Sequence, residues 1–305
     1  MAERSRRGRS LLLVPLLALA TGCHVLGLLG PAKEKGPDKP PVAAAPGEER
    51  VALPSKFQVR KAPVLFLSDF KLADDLPLFK ELEEMRDAVL RELLLPPPRY
   101  TVTVYIFEGE KDYKAYLRQS KPDLHRLGRR AYFVAEPRGA GKDYLVYTYF
   151  SKRIRQDLRH ELTHALLNSV VKDVPQWLDE GLAETFELPP EKGGVNAEHV
   201  ERLRADIAAG KQRLSLDRLE KLTEVEQMAP AEYREAWAWV HLLMHSKTEA
   251  KNALLSHLSQ LRGKHPPGPL GPKLAKLFSS PEEALMAHLA RLEADLAKPG
   301  EQARR

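Results

Sequence analysis

The sequence predicts an α+β fold in which a small mixed β-sheet is followed by a mainly helical half. Three observations carry this expectation. Runs rich in β-branched and aromatic residues are confined to the chain before residue 151. From Lys152 onward, apolar spacing near 3.6 dominates, broken at Pro175, Pro189-Pro190, Gly193-Gly194, Pro230 and from Pro266 to Pro272. No internal repeat divides the chain, and strands gathered ahead of helices argue for segregated layers.

In chain order, Gln58–Leu67 (QVRKAPVLFL) and Tyr100–Phe107 (YTVTVYIF) read as strands bounded by Pro or Gly. Between them, Leu76–Leu95 places Leu78, Leu82, Met85, Val89 and Leu93 on one helical face and stops at Pro96-Pro97-Pro98. Ala131–Ala135 and Tyr144–Phe150 flank a Gly-rich turn from Pro137 to Lys142 and read as a hairpin. No Pro or Gly falls between residues 152 and 174, so that stretch reads as a helix with Ile154, Leu158, Leu162, Ala165 and Leu166 on its buried stripe. Pro175 starts the next helix, and Tyr233–Ser246 reads as an apolar core helix with Trp237 and Trp239 in the interior, as Trp177 is on the helix before it.

With 305 residues, 43% apolar and 30% charged, the chain suits a globular protein with one or two cores. Its single cysteine excludes intramolecular disulfides, all-cysteine zinc sites and iron–sulfur clusters, so a metal would have to be held by His and carboxylate. The formal charge of +6 is uneven. Residues 1–22 hold four Arg against one Glu, which leaves 44 basic and 41 acidic residues in the rest. Without a clustered basic stripe and interleaved aromatics, no nucleic-acid partner is expected.

Arg4, Arg6, Arg7 and Arg9 precede an apolar run, Leu11–Ala20, that is too short to span a bilayer and suits a signal sequence. It ends in Ala20-Thr21-Gly22-Cys23, which resembles a bacterial lipobox, with Ala20 where that motif prefers Leu. The resemblance implies a signal peptide over 1–22, lipidation of Cys23, and a membrane-anchored protein on the outer side of the cytoplasmic membrane, in the periplasm or at the outer surface. Residues 23–55, punctuated by Pro31, Pro37, Pro40, Pro41, Pro46 and Pro54, read as an extended tether. Residues 56–305 then form one domain, with a sheet part over about 56–150 and a helical part over about 151–305.

The chemistry is concentrated in DLRHELTHALLNSVVKDVPQWLDEGLAETFE, residues 157–187. His160 and His164 are four apart and share a helix face, where two imidazoles can bind one Zn²⁺. Glu161 sits beside the first histidine, close enough to work on a water at the metal without being a ligand: the H-E-x-x-H arrangement. A catalytic zinc takes three protein ligands and keeps a fourth position open. The segment after His164 lacks the Gly and third His of metzincins, so the third ligand is expected on the following helix, at Glu180. Glu184, one turn further, is placed to accept the free N–H of a ligating histidine.

HELTH followed by the WLDEGLAE helix resembles the gluzincin metallopeptidases, the thermolysin-like and aminopeptidase-like group, and most of all the peptidase MA-like domains often found in bacterial lipoproteins. The motifs cover about 30 residues tightly, and the order of sheet and helices extends the likeness loosely over roughly 57–250. The resemblance implies a zincin-like fold and a zinc-dependent peptidase acting on a peptide or protein. It makes His160, His164 and Glu180 the zinc ligands, Glu161 the general base and acid, and Glu184 a supporting carboxylate. It also implies an oxyanion donor from a later helix, for which Tyr233 is the candidate, and an edge strand that pairs with substrate backbone, for which Tyr144–Phe150 is the candidate. Tyr233 also fits a ring packed at a helix start, and both readings stand.

Plainer readings compete at each point. A zinc-free relative serving as an envelope scaffold or binding lipoprotein would keep the same fold, and a zinc hydrolase could act on a bond other than a peptide. His241 and His245 form a second i,i+4 pair, but Leu242 occupies the base position, so they read as polar edge residues. His257, His265 and His288 have no carboxylate constellation and read as surface or hydrogen-bonded histidines. Oligomeric state is not legible.

Overall fold

The computed structural model describes residues 50–298, apart from 264 and 266. The signal peptide expected at 1–22, Cys23 and the tether as far as residue 49 lie outside the described residues. Within them the expected α+β architecture is present: a five-stranded mixed sheet followed by a mainly helical half.

Gln58–Leu67, expected as one strand, is two. Strand β1 (Phe57–Lys61) and strand β2 (Val64–Ser68) form an antiparallel hairpin with Lys61 opposite Val64. Pro63 sits in the turn, where the missing N–H removes nothing from the ladder. Its carbonyl accepts from Val102 N at 3.0 Å, which ties the hairpin to the next strand. Helix α1 (Pro77–Glu92) buries Leu78, Leu82, Met85 and Val89 as its periodicity predicts, and links β2 to strand β3 (Val102–Phe107), its parallel neighbour. Helices α2 (Glu110–Ser120) and α3 (Pro122–Leu127) follow and are not among the expected elements. The expected hairpin is present as strand β4 (Ala131–Arg138) and strand β5 (Gly141–Tyr149), paired down to Arg138 opposite Gly141.

Strand order is β1-β2-β3-β5-β4. This corrects the expectation for Tyr144–Phe150: β5 lies inside the sheet, parallel to β3 on one side and antiparallel to β4 on the other. The free edge on that side belongs to β4. Alternation along the strands sends Phe133, Ala135, Tyr144 and Val146 into the main core, and Tyr132, Val134 and Tyr147 into a smaller aromatic core with Tyr113, Tyr116 and Leu117 of α2. Both faces of the sheet are therefore covered.

The helical half comprises α4 (Ile154–Val170), α5 (Gln176–Phe186), α6 (Ala197–Ala208), the short α7 (Leu216–Leu219), α8 (Pro230–His245), α9 (Thr248–Leu261), α10 (Gly271–Leu277) and α11 (Pro281–Leu296). Asn196, Ser215 and Ser280 cap α6, α7 and α11 by accepting a backbone N–H three residues on. Helix α4 lies under β4 and β5, and α5 is packed between α4 and α8. In α8, Ala236 to Leu243 are all buried, as expected of a core helix, and Trp177, Trp237 and Trp239 are fully enclosed.

Gly181 makes the α5–α8 contact possible. A Cβ there would lie 2.6 Å from the Ala236 carbonyl oxygen and 2.7 Å from a Val240 methyl. The first obstruction is backbone, which cannot swing aside as a side chain can. The close approach fixes the first turn of α8, with Tyr233, against the turn of α5 that carries Glu180. Gly181→Ala is expected to destabilise the protein by about 1–3 kcal/mol, as overpacked interiors do. Thermal unfolding checks this: the midpoint should fall by several degrees, and an unchanged midpoint would show that the helices can part without loss.

Candidate metal centre

Helices α4 and α5 run antiparallel, because contacts advance along one as they retreat along the other. Asn168 and His164 meet Asp179 and Glu180, whereas His160 and Gln156 meet Glu187. Residues four apart on α4 share a face, so both imidazoles look at α5. Their Nε2 atoms are 3.2 Å apart. Glu180 Oε2 lies 3.4 Å from His160 Nε2 and 3.5 Å from His164 Nε2. Ligands about 2.0–2.1 Å from a tetrahedral zinc sit about 3.3 Å from one another, so this triangle has the size of three corners of such a site.

The two oxygens of Glu180 are used differently. Oε1 accepts from Gln176 Nε2 at 3.2 Å and lies 3.5 Å from the Tyr233 hydroxyl and 3.9 Å from Arg129. Oε2 is buried and has no hydrogen-bond partner. An orphaned carboxylate oxygen facing two imidazole nitrogens is costly in a low-dielectric interior unless a cation completes it. His160, His164 and Glu180 thus fit a divalent metal by geometry and by the unmet need of one atom.

Behind the triangle, Glu187 Oε2 lies 3.0 Å from His160 Nδ1 and its Oε1 accepts from Gln156 Nε2 at 2.7 Å. Arg159 holds the end of α5 by donating to the Glu187 and Leu188 carbonyls. Asp179 Oδ2 lies 3.0 Å from His164 Nδ1, an ion contact out of line with the ring N–H, so that nitrogen makes no formal hydrogen bond. Asn168 Nδ2 donates to both Asp179 oxygens at 3.2 and 3.3 Å. A carboxylate at each Nδ1 favours the tautomer whose Nε2 lone pair faces the triangle. This corrects the role expected of Glu184. Its Oε2 is 2.9 Å from His199 Nε2, and although it comes near His160, Glu187 occupies the Nδ1. Asp179 and Glu187 are the supporting carboxylates. Asp179 was within sight as Glu180's neighbour in the motif, and Glu187 is two turns beyond Glu180 on the same face.

Glu161 is buried beside His160, and its Oε2 accepts from Phe133 N, on the edge strand, at 2.6 Å. Burial pushes its pKa up, against the lowering influence of His160, His164 and Arg129. The Tyr233 hydroxyl faces Glu180 and accepts a hydrogen bond from Arg129, a residue outside every sequence-based expectation. His160, Glu161, Ala131 and Tyr233 line one open cleft, so the triangle is reached from solvent along the start of β4.

Burial opposes the imidazolium form of both histidines, yet their surroundings overrule it. The facing carboxylates of Glu180 and Glu187 hold His160 well above its ordinary value, and the charges of Asp179 and Glu180 raise His164 to about 10. Burial likewise opposes a charged Glu180, but the charge of His164 and the nearness of both imidazoles hold it well below the carboxylate range.

The other histidines do not build a second site. His241, expected at a polar edge, is buried with its Nδ1 2.8 Å from His288 Nε2, and burial lowers the two to about 3 and about 4. His257 is buried with neither ring nitrogen partnered, which differs from the surface or hydrogen-bonded role expected of it. Among the described residues none of them belongs to a group of three or more side chains that could hold a metal.

A family profile described as Protein of unknown function (DUF1570) matches residues 156–266, a stretch that includes all three triangle residues, Glu161 and Tyr233, and leaves out the sheet and Arg129. No curated protein and no solved structure matches the chain.

Two outcomes follow from the geometry. Asp179→Ala and Glu187→Ala should each weaken zinc binding about 10–100-fold, the usual effect of losing the group behind a ligand, whereas His164→Ala should abolish stoichiometric binding. Titration with a competing chelator checks both. Because the surrounding carboxylates hold both histidines above their ordinary pKa, zinc binding must displace protons. Apparent zinc affinity should therefore rise with pH above neutrality. The metal-free protein should follow the opposite course. Raised histidine pKa values stabilise the fold fully below about pH 6.5 and lose that effect as pH climbs through the folded-state values. Calorimetry in buffers of different ionisation enthalpy reads the protons released on zinc binding, and a release near zero would contradict the raised histidine pKa values.

Proposed function

We propose that this protein is a zinc-dependent peptidase of the gluzincin kind, with His160, His164 and Glu180 as ligands and Glu161 as general base. The observation that carries the reading is the triangle of two Nε2 atoms and one orphaned carboxylate oxygen, 3.2–3.5 Å apart, with a buried glutamate beside it at the floor of an open cleft.

A zinc ion held there would supply Lewis acidity, bringing the pKa of a coordinated water toward about 7 and polarising a scissile carbonyl. The chain's own residues do the rest. Glu161 takes the proton from the attacking water and returns it to the leaving amine. Anchoring Oε2 on Phe133 N leaves Oε1 free for that traffic, and the upward pKa shift brings the carboxylate closer to neutral pH, where a general base works best. The Tyr233 hydroxyl donates to the oxyanion that develops on the former carbonyl oxygen. The free edge of β4, rather than β5, offers backbone groups to an extended peptide lying in the cleft. The lipobox-like Ala20-Thr21-Gly22-Cys23 supports a lipid-anchored protein of the cell envelope, so the substrate would be a peptide or protein met outside the cytoplasm.

Glu161→Gln separates this reading from the alternatives. The variant should keep close to one zinc per chain, because residue 161 is not a ligand, and lose peptide hydrolysis by about 10²–10⁴-fold, the usual contribution of general acid–base catalysis. Metal analysis and cleavage of a peptide library read both. Undiminished cleavage would remove Glu161 from its role, and zinc-loaded wild-type protein that cleaves no peptide would point to a scaffold or to a different bond.

A further inference from the structure

Arg129 stands between Gly128, whose left-handed backbone (φ +68°) ends α3, and the first residues of β4. Its guanidinium reaches across the cleft mouth to α8. There it donates to the Tyr233 hydroxyl, lies 5.4 Å from the centre of that ring, and stays 3.9 Å from Glu180 Oε1. The side chain is about one-third exposed, so one face of the charge borders the cleft.

Donor counting gives this contact a direction. A guanidinium only donates, so the Tyr233 oxygen is the acceptor and the phenol's one proton must point elsewhere. Among the described residues its acceptor is Glu180 Oε1, at 3.5 Å, the outer limit of a hydrogen bond, and that oxygen already takes Gln176 Nε2 at the shorter distance of 3.2 Å. The phenol proton is therefore aimed toward the ligand triangle and poorly satisfied there. A phenol free of Arg129 could turn its proton to other acceptors. With the guanidinium in place, that freedom is gone.

We propose that Arg129 is a positioning residue: by occupying a lone pair of Tyr233, it presents the hydroxyl proton to an oxyanion bound beside Glu180. The identity of that oxyanion, the oxygen of a peptide carbonyl under attack by water, rests on the peptidase reading. The arrangement itself suits any tetrahedral oxyanion of similar size, so it can be tested apart from catalysis.

The experiment is a double-mutant cycle on the zinc-loaded full chain with Arg129→Met, Tyr233→Phe and their combination, with Arg129→Lys as the conservative variant. Inorganic phosphate serves as a tetrahedral oxyanion probe by calorimetry, and peptide cleavage gives kcat and KM. Each single variant should weaken phosphate binding by about 10-fold or more and lower kcat with little change in KM, as loss of one oriented donor does. The double variant should be within about 2-fold of Tyr233→Phe alone, because both substitutions remove one device. Arg129→Lys keeps a donor-only cation that can occupy the same lone pair, so it should lose less kcat than Arg129→Met. Losses that multiply in the double variant, a lysine variant as impaired as the methionine one, or zinc content that falls in Arg129→Met would each overturn the assignment. Should Arg129→Met fail to fold, Arg129→Ala closes the same cycle. The two readings fail separately. Coupled phosphate binding without any peptide cleavage sinks the peptidase and leaves Arg129 in place, whereas cleavage and phosphate binding indifferent to residue 129 do the reverse.

Discussion

A carboxylate buried with one oxygen unsatisfied is the constraint around which the rest of this structure is arranged. Glu180 is 2% exposed, and its Oε2 faces only two imidazole nitrogens. Taking an ion out of water costs several kcal/mol even after the protein relaxes, and replacing a buried ionic cluster by well-packed apolar groups is often neutral or stabilising. The cluster is therefore poorly explained as a source of stability. Its layout makes sense around a charge: Gln176, Tyr233 and Arg129 all address Oε1, and nothing among the described residues donates to Oε2.

One helix supplies the ligand and both carboxylates behind the histidines, and that demand shapes its neighbours. Asp179 and Glu180 meet His164, and Glu187, two turns on, meets His160 one turn back along α4. For α5 to reach this depth its other side must lie flat on α8, which the absence of a side chain at Gly181 allows. The same approach brings Tyr233 within reach of Glu180. The sheet contributes the remaining wall. Its edge strand donates Phe133 N to Glu161 and places Arg129 at the cleft mouth. The two halves of the fold thus meet at the site.

What was legible in the sequence was what local periodicity determines. His160 and His164 share a face because a helix turns every 3.6 residues, and Glu180 could be placed because a short connection returns the chain along α4. Helix α2 escaped notice because Glu110, Lys111, Asp112, Lys114 and Arg118 crowd a sequence whose apolar signal is three residues, Tyr113, Tyr116 and Leu117. The break at Pro63 was hidden within a run of strand-forming residues, and the edge strand depends on pairing order, which no local pattern encodes. Glu184 and Glu187 are both on the ligand face by spacing. Only the crossing of two helices decides that the farther one reaches His160. Arg129 acts on a residue 104 positions away, so nothing near it in the sequence announces its role.

The protonation of the metal-free site bears on why a divalent ion suits it. Four carboxylates, Glu161, Asp179, Glu180 and Glu187, surround two histidines whose pKa values they hold high. Without metal those carboxylates favour the protonated imidazoles, and a divalent cation would answer the same negative surroundings. Most of the electrostatic environment that stabilises the protonated state is then already in place for the metal, and little must be rebuilt when it binds. Imidazole nitrogen as two of the three donors suits a first-row transition metal better than the hard, oxygen-seeking calcium and magnesium. Donor type and the size of the triangle therefore point to the same class of ion.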